Sequence, residues 1–221
     1  MILGRTLISP VESFIGDLIV VLYLLVIPAI SLIIGAFASR NPFASVGGSR
    51  EMKLVLGYEL VFILSVITVI IKTSSNIRLD NILIFQQEFG SLVFSWSGLI
   101  AFICALICTQ AKLGFVPFDM AEAEQEIMAG ALIEYSGLPL AIFRLTKAIL
   151  LYVMPLFLIV LFMGKDTSPI FLIAKYILIL VIIILIKNTN PRLRIDQALK
   201  FFWGKLAILN IIAVVLAMLG Y

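Results

Sequence analysis

Six runs of mostly apolar residues divide this chain, at residues 17–38, 54–71, 91–110, 140–163, 169–186 and 202–220. An α-helix needs about 20 such residues to cross the hydrocarbon core of a membrane. Lipid offers backbone groups no hydrogen-bond partner, so each run is expected to form a helix that satisfies its own. The expected fold is all-α: a polytopic membrane bundle of about six transmembrane helices, making a single integral membrane domain over residues 1–221. Pro28 and Pro155 fall inside spans, where neighbouring helices can satisfy a freed carbonyl. Composition agrees, with 62% hydrophobic and 13% charged residues, against about 25% charged in soluble domains. No tract of Lys and Arg interleaved with aromatics is present, which argues against nucleic acid as a partner. The first residues lack the ordered parts of a secretory signal.

Charge sets the orientation. One side of the bundle would carry eleven of the sixteen basic residues, from Arg40, Arg50 and Lys53 to Lys112, Arg144, Lys147, Arg192 and Arg194. The other would carry Arg5, Lys72, Arg78 and Lys165, with Lys175 left inside a span near the outer side and able to snorkel. The basic side is expected to be cytoplasmic, with both termini outside, in a multi-pass protein of the cell membrane. Three cytoplasmic connections follow. The first, SRNPFASVGGSREMK, has Gly47 and Gly48 to permit a tight turn before Arg50 and Glu51. The third, KNTNPRLRIDQALKFFWGK, is basic and holds one acid, Asp196. The outer connections are shorter or carry little chemistry.

The second connection, Gly114 to Gly137, lies between the third and fourth spans and holds Asp119, Glu122, Glu124, Glu126 and Glu134. Pro117 is expected to end the preceding helix, and Asp119 to cap an acidic helix with Glu122 in a capping box. Capping and the helix dipole account for Asp119, Glu122 and Glu124 without any further role. They do not account for Glu126 or Glu134. At 100° per residue, Asp119, Glu122 and Glu126 share one sector, Glu134 lies on a broadly similar side and Glu124 points away. Crowded carboxylates beside lipid cannot all stay ionised, so the cluster can exchange protons. Glu59, about five residues into the second span, extends it. Ionisable groups so placed mark ion or proton pathways by default. Residue chemistry therefore favours a pathway through Glu59, Asp119, Glu122, Glu126 and Glu134 over a solvated acidic loop. Arg50, Arg144 and Lys147 are the candidate charge partners. Cys104 and Cys108 read as small buried hydrophobes, and with no histidine in the chain no metal or catalytic centre is expected within it.

Pro117-Phe118-Asp119, Ala121 to Glu126 and Glu134-Tyr135-Ser136-Gly137 resemble the signature of the NADH dehydrogenase subunit 1 family, the membrane subunit that anchors the peripheral arm of respiratory complex I. Gly47-Gly48 with Arg50-Glu51-Met52, Tyr58-Glu59, and Arg192 to Gln197 are similar to the family in two further places. The six spans resemble the third to eighth helices of that family. The run GGSREM is most similar to the corresponding subunit of group 4 membrane-bound NiFe hydrogenases. The resemblance implies a subunit that couples electron transfer to H⁺ or Na⁺ pumping through the acidic connection. Arg192, Arg194 and Asp196 would dock the redox arm. Iron–sulfur clusters and a NiFe centre would sit in peripheral partner subunits and none in this chain, with antiporter-like subunits beside it in the membrane. A quinone or sulfur reductase of the same superfamily is the alternative, and a stand-alone cation transporter is the alternative of another class.

Overall fold

The structure is a computed structural model and describes residues 16–121, 130–165 and 168–220. Its helices are α1 (Asp17–Ala38), α2 (Pro42–Lys72), α3 (Leu79–Phe89), α4 (Trp96–Lys112), α5 (Gly137–Phe162), α6 (Pro169–Thr189) and α7 (Ile195–Met218). Five of these are long and apolar enough to cross a membrane, and α4 is a shorter apolar helix. Among the described residues there is no strand. The all-α polytopic bundle expected from the apolar runs is what the chain forms.

Several boundaries differ, for local reasons. The second span starts at Pro42 rather than near residue 54. Asn41 caps it, its side chain accepting from the Phe43 amide at 2.9 Å, and Pro42 occupies the first turn, where its missing N–H costs nothing. Gly47 and Gly48 are therefore helical and make no tight turn. Their role is close approach: a Cβ on Gly48 would come within 2.9 Å of the Ala36 Cβ on α1, as small residues allow between membrane helices. At 31 residues α2 is about 46 Å long, so its first turns rise beyond the bilayer core. The third span begins at Trp96, after a 3₁₀ turn at Leu92–Phe94, with Ser95 accepting from the Gly98 amide at 3.2 Å. It ends at Lys112, ahead of Pro117, with Gly114 in the left-handed region at φ 61°. The last span starts at Ile195 and passes through a π-helical stretch at Phe201–Leu206.

Helix α2 is the centre of the bundle and packs against α1, α4 and α7. Tyr58, Phe62, Phe157, Phe162 and Phe202 are the bundle's largest fully buried side chains. In lipid such packing, rather than escape from water, holds helices together. Helix α6 lies at the edge and buries only Ile179 and Ile183 among its own residues. Its Lys175 donates to the Met163 carbonyl at 2.7 Å, at the end of α5.

Helix α3, in a connection expected to carry little chemistry, is tied in by polar contacts. Asp17 Oδ1 accepts from the Leu18 and Leu79 amides at 2.8 and 3.1 Å, joining the starts of α1 and α3. Gln86 is fully buried; its Nε2 donates to the Val160 and Leu161 carbonyls and its Oε1 accepts from the Gly164 amide at 2.7 Å. Replacing Gln86 by Leu orphans that amide and removes a donor from the last carbonyls of α5. Each such group costs about 1–3 kcal/mol, so Gln86→Leu is expected to lower the thermal midpoint of the detergent-solubilised protein clearly, while Gln87→Leu on the exposed side does not.

Candidate functional site

Three connections meet at one end of the bundle: α1 to α2, residues 113–136, and α6 to α7. The Leu193 amide donates to the Pro117 carbonyl at 3.1 Å, and the Ala131 amide to the Ala121 carbonyl at 3.1 Å. The second bond closes the base of the acidic stretch. Gly47 of α2 lies directly beneath it, where a Cβ would sit 2.5 Å from the Ala131 nitrogen and 2.9 Å from the Ala121 oxygen. Only a glycine lets α2 come this close.

Of the acidic residues singled out from the sequence, Glu122 and Glu126 lie outside the described residues, as does Glu124. Asp119 and Glu134 are described, and they do not share a helix. Asp119 is in irregular chain, and its carboxylate pairs with Arg192, Oδ2 to Nη2 at 3.1 Å. Glu134 follows the 3₁₀ turn Gly130–Leu132, is exposed, and accepts from Asn41 Nδ2. The common helical sector drawn for Asp119 and Glu134 therefore fails, because Asp119 lies in irregular chain and the chain turns at Gly130, with φ 51°, before Glu134. Tyr135 folds back against α1, its hydroxyl donating to the Gly35 carbonyl at 2.8 Å.

Asp119 stands between two cavities. One, of about 330 Å³, opens among Arg50, Asp119, Met120, Arg192, Arg194 and Asp196. The other, of about 50 Å³, lies inward and is lined in part by Glu51, Lys112, Asp119, Met120 and Lys147. Arg50, Arg192, Arg194 and Asp196, expected to serve as charge partner and docking residues, thus gather around one opening. Lys147 reaches the inner cavity, whereas Arg144 is exposed on α5.

At the inner end is a group of charges that sequence spacing did not pair. Lys112 ends α4 with its side chain only 2% exposed, and its ammonium meets Glu59 Oε2 at 2.6 Å. The ammonium also sits over the Phe62 and Tyr58 rings, at 4.7 and 5.3 Å from their centres, where the ring faces attract a cation. The sequence places Lys112 in a loop as one more positive charge; in the structure it is the counter-charge of Glu59. Glu51, placed there in a turn, is helical and buried. A run of charged groups therefore leads from the arginine-lined opening, past Asp119 and the Glu51–Lys147 cavity, to Lys112 and Glu59 within the bundle. Such a run can hold and pass protons or position a small cation. Among the described residues no group of three or more Cys, Asp or Glu is placed to bind a metal.

The chain matches the NADH dehydrogenase family over residues 3–218. It is 32% identical over 194 residues to an NADH-quinone oxidoreductase subunit of Anoxybacillus flavithermus, covering 82% of this chain and 57% of that one. The corresponding protein of Geobacillus kaustophilus is 31% identical over 196 residues, covering 85% and 58%. The chain thus spans less than two thirds of the length of these relatives. Among solved structures, a chain of the membrane-bound sulfane sulfur reductase, an archaeal respiratory membrane complex, superposes with a TM-score of 0.82 at 29% identity. That likeness covers 90% of this chain and 68% of the other.

Proposed function

The chain belongs to the NADH dehydrogenase family, and from that membership we propose that it is a membrane subunit of a complex I-related oxidoreductase. It anchors a peripheral redox arm and couples electron transfer to movement of H⁺ or Na⁺. The observation that carries the reading is the position of Asp119, which lines both the arginine-rich opening and the inner cavity that reaches Lys112. An arm seated over Arg50, Arg192 and Arg194 would act on the Asp119–Arg192 pair, and through Glu51 and Lys147 on Glu59 and Lys112. Glu122, Glu126 and Glu134 add exchangeable carboxylates on the same connection. The orientation that fits has this end of the bundle in the cytoplasm, as the basic bias of its connections supports.

Similarity of the run GGSREM supports a NiFe hydrogenase as the parent complex, with iron–sulfur clusters and the NiFe centre in peripheral partners and antiporter-like subunits alongside. The structural likeness to a chain of the sulfane sulfur reductase complex favours a second reading, a sulfur reductase of the same superfamily. Purification of the native complex through a tag on this chain, with companions identified by mass spectrometry and assayed for hydrogen evolution and sulfane sulfur reduction, separates the two. Recovery of the chain without redox subunits overturns both.

The Asp119–Arg192 pair is partly exposed, and such pairs contribute only about 0–1 kcal/mol. Asp119→Asn, which keeps an oxygen for Arg192, is expected to lower ions moved per electron with redox turnover retained. An unchanged ratio would remove Asp119 from the path.

A further inference from the structure

Helix α3 lies across one end of the bundle rather than through it. Its first residue is held at the start of α1, where Asp17 accepts the Leu79 amide, and Gln86, seven residues on, is held at the last carbonyls of α5. Both tie points are at the end opposite the arginine-lined opening. Helix α1, with 22 residues, is about 33 Å long and crosses a hydrocarbon core of about 30 Å, so α3 sits at the far edge of that core. The faces of α3 fit this depth. Leu79, Ile82, Leu83 and Gln86 are buried against the bundle. At 100° per residue, Asn81 and Glu88 fall on the back of the helix, and Phe85 and Phe89 on one flank, about 90° from the buried row. The two rings stack with centroids 4.7 Å apart, and Phe89 is 75% exposed.

The corner between α3 and α4 carries two more exposed aromatics, Phe94 at 88% and Trp96 at 73%. Trp96 heads a row with Leu99 and Ile103, exposed and at helical spacing, and so continues the face that the apolar helix α4 turns to lipid. With 17 residues, α4 is about 26 Å long, short of the core's about 30 Å. The 3₁₀ turn Leu92–Phe94 therefore completes the crossing. Its backbone suits apolar surroundings, because its polar groups find partners within the corner. The Phe94 amide donates to the Ser91 carbonyl at 3.2 Å, and the Ser95 amide and hydroxyl donate to the Leu92 carbonyl at 3.1 and 2.7 Å. In water these rings would be uncovered apolar surface. At the boundary between headgroups and acyl chains they stand where membrane aromatics concentrate.

We propose that α3 and the α3–α4 corner form a lipid-binding element, seated in the leaflet opposite the arginine-lined opening. Phe89, Phe94 and Trp96 take the upper acyl carbons of phospholipid, and Glu88 turns to water. The element sets the depth of the short helix α4. The inference stands apart from the coupling role proposed above.

Trp96 and Trp203 are the only tryptophans in the chain, so Trp203→Phe leaves Trp96 as the sole indole. The full-length variant is placed in vesicles of phosphatidylcholine brominated on the acyl chains, either near the glycerol or near the chain end. Trp96 emission is expected to be quenched several-fold more strongly by the bromines near the glycerol, and little by iodide in the water on both sides. Quenching by iodide alone, by the chain-end bromines most strongly, or by neither, overturns the proposal. A second measurement does not depend on that variant. Phe94 is replaced by p-benzoylphenylalanine and native membranes, with every neighbouring chain in place, are illuminated. An adduct of phospholipid mass is the expected result. A crosslink to another protein chain instead, or no adduct, assigns this surface to a protein neighbour or to water and overturns the lipid assignment.

Discussion

Lys112→Met is expected to destabilise the protein by about 3–5 kcal/mol, the cost of removing one partner from a buried ion pair. The Lys112 side chain is 2% exposed and that of Glu59 19%, so the carboxylate left behind has little water to turn to. Methionine fills much of the space of the lysine stem, and the loss is therefore in charge rather than in packing. The two aromatic rings beneath the ammonium lose their cation as well. The double variant Glu59→Gln, Lys112→Met should recover most of the stability, because replacing both partners with neutral groups is often close to neutral. Thermal midpoints of the solubilised complex check this. A single variant as stable as wild type, or a double variant worse than the single, would mean that the pair does not hold α2 to α4.

The second large effect falls on Gly47. Gly47→Ala improves helix propensity by about 1 kcal/mol, yet it is expected to destabilise the protein and uncouple it. The added methyl would meet the Ala131 nitrogen at 2.5 Å and the Ala121 oxygen at 2.9 Å. Both are backbone atoms, in the bond that closes the base of the acidic stretch, and neither can swing aside. Overpacking of this kind costs about 1–3 kcal/mol or more. Gly57→Ala is the control, since its methyl would face the Leu199 Cδ2 at 3.2 Å, at the end of a side chain that can move. The comparison is read as complex accumulated in membranes and as ions moved per electron. Equal behaviour of the two variants would show that the α2 contact does not set the position of this connection.

How legible each part was follows from what a span must look like. Continuous apolar runs placed α1 and α6 almost to the residue, because lipid demands apolar side chains along the whole crossing. The start of α2 was hidden because its first turns rise out of the bilayer core, where hydropathy says nothing; Asn41 and Pro42 carried the signal instead. The same omission turned Gly47 and Gly48 into a supposed turn and set Glu51 outside the bundle. Asp119 and Glu59 could be singled out, since an acid beside an apolar run is conspicuous by itself. Lys112 could not be assigned to Glu59, because the two lie 53 residues apart and only the packing of α4 on α2 brings them together. Its position at the end of an apolar helix resembles that of any interfacial lysine. The arginines of the third connection gave their charge but not their meeting with Arg50, which depends on the close of three connections over one end of the bundle.

The coupling role is tested most directly by the number of ions moved per electron pair in inverted vesicles carrying the complex with Glu59→Gln, measured beside its redox turnover. Glutamine keeps an oxygen for the Lys112 ammonium and removes the carboxylate charge. Because it also leaves that buried ammonium without its counter-charge, the ratio is read on complex that has assembled, with Glu59→Gln, Lys112→Met beside it as the stability-matched comparison. A path through Glu59 predicts that turnover persists while the ion ratio collapses. A Glu59→Gln complex that turns over and pumps at the wild-type ratio would contradict it.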